Sequence, residues 1–102
     1  MSDKYDPELG AVMAAHHCPA ERIGSVPIKE TFRGETVWEG VVNVYDVKGH
    51  SKVEQAYAWG YKDDKGETQY VVVSKLPPVI DPITAVRASI MADSRKREQD
   101  EA

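Results

Sequence analysis

Hydrophobic positions along the chain follow a helical period at both ends and a period of two between them. Near the start, Leu9, Val12 and Met13 fall on one stripe of a short helix spanning Pro7 to Cys18. Asp6 is placed to cap it, with Pro7 and Glu8 in the first turn and Pro19 closing it. Ile23 to Phe32 reads as an extended segment in which Val26, Ile28 and Phe32 share a parity, and Pro27 assigns it to a sheet edge or a strand start. Three strands follow at 36–47, 53–62 and 68–76, joined by KGHSK at 48–52 and by DDKGE at 63–67, where Gly66 supplies the left-handed turn residue. Pro77 and Pro78 stop the sheet. Asp81 then caps a helix with Pro82 in its first position, whose apolar stripe is Ile83, Val86, Ile90 and Met91, helped by Ala85, Ala88 and Ala92.

This order predicts an α+β fold: a three- to four-stranded antiparallel meander, a C-terminal helix across one face and a short helix at the N-terminus. Residues 1–7 read as a flexible N-terminus, 8–93 as one α+β domain and 94–102 as a polar tail in which Arg95, Lys96 and Arg97 meet the helix C-terminus. The succession of helix, strands and helix is similar to that of the double-stranded-RNA-binding fold. The resemblance is one of element order, with no sequence motif attached.

Parity divides the strands into two faces, and neither is polar. Over 36–47, Trp38, Gly40, Val42 and Val44 share one parity, while Val37, Glu39, Val41, Asn43, Tyr45 and Val47 share the other. Over 53–62 the small residues Ala56, Ala58 and Gly60 oppose Val53, Tyr57, Trp59 and Tyr61. Small residues admit a helix at close range, so that face is assigned to the C-terminal helix. The other gathers Tyr57, Trp59 and Tyr61, with Tyr45 or Val41 beside them. Residues 8–32 folding back, a second copy of the chain, or a ligand or other macromolecule would cover it. Aromatic surfaces of this kind favour protein interfaces. The leading expectation is therefore a non-enzymatic domain acting through a protein–protein interface, as a homodimer or with another protein, on Tyr45, Tyr57, Trp59 and Tyr61.

Composition narrows the alternatives. Thirteen Val and five Ile against two Leu favour strands over a helical bundle. The net charge of -4 is spread along the chain and no third has an excess of Lys and Arg. An RNA- or single-stranded-DNA-binding module, stacking bases on the sheet aromatics beside Lys48, Lys52, Arg95, Lys96 and Arg97, is accordingly the weaker reading. A third alternative uses the loop Lys48, Gly49, His50, Ser51, Lys52. There Lys48, His50 and Lys52 could hold an anion or a small ligand.

Cys18 is alone, so no internal disulfide forms, and its use suits a reducing compartment. With no signal peptide and no apolar run long enough to span a bilayer, the expected location is the cytoplasm, away from membranes. His16, His17 and Cys18 are consecutive and lack the spacing of zinc ligands, so no metal or other cofactor is expected. Asp63 and Asp64 read as turn formers, and no common phosphate-binding or hydrolase motif is present.

Overall fold

The computed structural model describes residues 6–100, with side chains through Asp93. Helix α1 (Pro7–His16) leads into strands β1 (Ala20–Phe32), β2 (Glu35–Val47), β3 (Gln55–Lys62) and β4 (Thr68–Ser74), followed by α2 (Pro82–Asp100). The strands form one antiparallel sheet in the order β1-β2-β3-β4. The α+β class, the meander and both helices agree with the sequence expectation. Strand β1 is a full edge strand, as Pro27 implied. Helix α2 continues to Asp100, across residues expected to form a polar tail.

Local chemistry accounts for the element ends. The Leu9 N–H donates to Asp6 Oδ1 at 3.1 Å and starts α1, and His17 ends it in a left-handed conformation. At α2, the Thr84 N–H donates to Asp81 Oδ1 at 2.9 Å, while Thr84 Oγ1 accepts the Ile80 and Asp81 N–H groups, both at 3.0 Å. This reciprocal cap satisfies groups on both sides of the helix start. In the β3–β4 turn, Asp63 Oδ1 accepts the Lys65 and Glu67 N–H groups, and Gly66 has φ 80°, the conformation its sequence position requires.

Each face of the sheet carries its own helix. On one, Val12 of α1 packs with Tyr45, Val47, Val53, Ala56 and Ala58, flanked by Leu9, Cys18 and Val72. On the other, Ala85 and Val86 of α2 pack with Val42, Tyr57, Trp59 and Val79, flanked by Trp38, Val44 and Val71. The assignment of the small-residue face to the C-terminal helix is therefore reversed. Helix α1 is short and takes the shallow alanine face, seating Val12 there. The larger apolar set of α2 matches the aromatic face. The inward stripe of α1 is also corrected. Met13 is exposed, and His16 takes the buried position one turn past Val12.

The sheet opens at one end. Strand β2 pairs with β3 only from Asn43 to Asp46, whereas β1–β2 pairing runs on to Phe32 and Glu35 and β3–β4 pairing to Lys62 and Thr68. Two register shifts leave Ile23 in β1 and Val37 in β2 without a partner, and such bulges bend and twist the strands that carry them. Trp38 lies across Gly40, where an added Cβ would approach the indole to 3.1 Å. It meets Trp59 edge to face at a centroid distance of 5.4 Å, bridging the opening.

Trp59 is 4 % exposed and belongs to the core under α2. Trp59→Ala is expected to cost about 3–5 kcal/mol of unfolding free energy. Tyr61→Ala, at a half-exposed position one turn of the pleat further along, is expected to cost far less. Urea titrations of the two variants check the difference.

Candidate functional site

The four aromatic residues expected to form one interface lie in three different settings. Tyr45 is fully buried under α1, because it pairs with Ala56 and so faces away from Tyr57. Tyr57 and Trp59 are buried under α2, and only Tyr61 remains open, at 49 % exposure. A bare sheet face lined by Tyr45, Tyr57, Trp59 and Tyr61 is thus absent among the described residues. The chain covers its aromatics with its own helices, which sequence parity could not assign to faces.

Tyr45 instead anchors α1. Its hydroxyl donates to Glu8 Oε1 at 2.6 Å, and Asn43 Nδ2 donates to the same oxygen at 2.6 Å. Burial and the adjacent Glu8 carboxylate push the Tyr45 phenol far above its ordinary value. Burial, aided by Asp81, also raises that of Tyr57. At the other end of α1, His16 Nδ1 lies 2.8 Å from the Val12 carbonyl, and Nε2 lies 2.8 Å from Ser74 Oγ. A carbonyl only accepts, so Nδ1 carries the proton that pins the ring. Hydrogen bonds from α1 therefore reach both β2 and β4.

Lys48, His50 and Lys52 do share a loop, beside a cleft of about 690 Å³ that Lys75 also lines. His50 Nδ1 accepts the Lys52 and Val53 N–H groups, each at 3.0 Å, which makes the ring an organiser of its own turn. The charges there are mixed. Asp46 and Glu54 line the same cleft, and Lys48 Nζ lies 3.7 Å from Glu21. The loop joins β2 to the start of β3, whereas Tyr61 is near the end of β3. Strand length separates them by roughly 20 Å. The aromatics and the basic loop do not come together, and the side chains of Arg95, Lys96 and Arg97 lie outside the described residues. His16 and His17 part, one buried and one exposed. Among the described residues, no group of three or more His, Cys, Asp or Glu is placed to hold a metal ion. No helix there is long and apolar enough to cross a membrane.

The two outer edges of the sheet differ sharply, a contrast that helix-face reasoning from parity overlooks. Along β1, Pro27 has no N–H to offer, Ile23 forms a bulge, and Glu21, Arg22, Lys29 and Glu30 supply charge, with Glu30 paired to Arg87. These are the devices that keep a strand edge from pairing. Strand β4, TQYVVVS, has no proline and no charge. Its backbone orientation follows from two hydrogen bonds. Lys75 N–H donates to Gln55 O at 2.9 Å, and Asp63 N–H donates to Glu67 O at 2.9 Å, so positions 67 and 75 face β3. By antiparallel alternation Gln69, Val71 and Val73 also face β3, and Thr68, Tyr70, Val72 and Ser74 direct their backbone groups outward. The Ser74 carbonyl additionally accepts the Leu76 N–H at 2.9 Å. In the sequence, the signals for this contrast are Pro27 at one edge and the uncharged run at the other. Compared with known proteins, the chain matches no family model, no curated protein and no solved structure.

Two outcomes test this description. Tyr45→Phe, which removes the hydroxyl from Glu8, is expected to cost about 1.5–3 kcal/mol in urea unfolding while the fold persists. The Asp81 carboxyl is held below its ordinary value of 3.8 chiefly by the Thr84 N–H and hydroxyl. The unfolded chain therefore takes up the proton first as pH falls. Asp81 stabilises the fold fully above that region, and its contribution disappears as acid titrates the folded carboxyl. Unfolding curves from neutral pH to below pH 3.8 are expected to show this loss, and Asp81→Ala is expected to flatten it.

Proposed function

We propose that this chain is a non-enzymatic interaction domain that binds protein by accepting an extended segment along the open edge of β4. The observation that carries the reading is the edge itself: a terminal strand without charge or proline, whose outward backbone groups at Thr68, Tyr70, Val72 and Ser74 have no strand beside them in the sheet. An added strand gains main-chain hydrogen bonds from those groups and side-chain contacts on both faces. Val71, Val72 and Val73 are half-buried and offer β-branched neighbours to it. The interface expected on the aromatic face moves to the sheet edge because α1 and α2 already occupy the faces. The scattered positions of the basic loop and Tyr61 favour protein over nucleic acid. The lone, half-buried Cys18 suits a reducing location such as the cytoplasm.

The segment 67–75 as a free peptide is a direct probe of edge acceptance. Added in excess to isotope-labelled chain, it is expected to shift the amide resonances of Thr68, Tyr70 and Val72 most strongly. Val72→Pro removes an outward donor and leaves the β3-facing bonds of β4 in place, so it is expected to abolish those shifts. Shifts centred away from β4, or none at all, overturn the reading.

A further inference from the structure

The geometry points to a second copy of this chain as the occupant of the β4 edge, paired antiparallel about a two-fold axis with Val71 opposite its own counterpart. This rests on the edge-binding reading above and names the partner. A two-fold axis normal to the sheet maps each residue onto its equivalent, so hydrogen-bonded positions must oppose hydrogen-bonded positions. Only registers in which one residue faces itself satisfy that condition. With Val71 at the centre, the outward groups of Tyr70 meet those of Val72 in the other copy, and Thr68 meets Ser74. The ladder then runs from Thr68 to Ser74, where the Ser74 carbonyl also accepts the Leu76 N–H.

Side chains distinguish this register from its neighbours. On the α2 face Val71 meets Val71 and Gln69 meets Val73. On the α1 face Tyr70 meets Val72 and Thr68 meets Ser74. None of these pairs sets like charges together. One step beyond each end, Glu67 of one copy falls opposite Lys75 of the other, and symmetry repeats the pair. Centring on Tyr70 instead places Glu67 against Val73, and centring on Val72 places Lys75 against Gln69 and Glu67 against Pro77. Of these three registers only the one centred on Val71 brings the flanking charges together with opposite sign, and cross-strand pairs of opposite charge favour pairing while like charges oppose it. The β1 edge, with Pro27 and its charges, cannot form an equivalent ladder. The assembly therefore closes at two copies, doubling the four-stranded sheet, and does not propagate.

Light scattering and sedimentation of the full chain test this, with Glu67→Lys, Lys75→Glu and the double variant carrying both. The wild type is expected to show the mass of two chains at micromolar to millimolar concentration. Each single reversal sets like charges opposite each other at both ends of the ladder and is expected to weaken association on the order of tenfold. The double variant restores opposite signs and is expected to recover it. Amide exchange supplies a readout independent of any substitution: Tyr70 and Val72 N–H groups are expected to gain protection as wild-type concentration rises. A single-chain mass throughout, with peptide binding intact, overturns the second copy as partner and leaves the edge-binding reading standing. A two-chain mass insensitive to either reversal, with Tyr70 and Val72 unprotected, overturns the register and the edge together.

Discussion

A sheet that is apolar on both faces has to be covered on both, and this constraint organises the molecule. Tyr45, Val47, Ala56 and Ala58 form one apolar surface, and Val42, Tyr57 and Trp59 form the other. Burying either alone would leave the second in water, at a cost of roughly 25 cal/mol for each Å² of apolar surface. The chain resolves this by placing its sheet between its two helices. Helix α1 suits the alanine surface because it offers one well-seated valine and hydrogen bonds at both ends. Helix α2 suits the aromatic surface because Val86, Ala85 and the adjoining Val79 fill the space around Tyr57 and Trp59.

Covering the faces leaves backbone without a strand partner at the two outer edges and at the β2–β3 opening. The two edges have unlike chemistry. One is closed by a proline, a bulge and charges. The other is a run of uncharged β-branched and aromatic residues whose outward groups follow from two hydrogen bonds to β3. In the proposed edge-binding reading, the aromatic residues serve stability and the backbone of β4 is what meets a partner. On that reading specificity would rest on register, which the charges flanking β4 can set.

Much of the fold was legible in the chain because local chemistry signals it. Asp6, Asp81 and Pro82 mark helix starts, Gly66 marks a turn, and Pro27 marks an edge, each through a backbone requirement that holds whatever surrounds it. The site was less legible. Parity showed that Tyr57 and Trp59 share a face but not which helix would lie over them. Val37 interrupts the alternation of β2 as a bulge, an irregularity with no mark in the residues themselves. His16 reads as a polar residue beside Cys18, yet it is buried because Val12 O and Ser74 Oγ, the latter 58 positions away, satisfy its ring.

Alternating and helical periods, caps and turn residues determined the elements, their order and the apolar character of both sheet faces. These are properties of short stretches of backbone, and a few neighbouring residues are enough to set them. Which helix covers which face, where β2 and β3 part and which edge stays open were decided by the assembled chain. Those outcomes depend on contacts between residues far apart in sequence, on the fit of Val12 against Ala56 and Ala58, and on the accumulated twist of long strands. No local pattern encodes them.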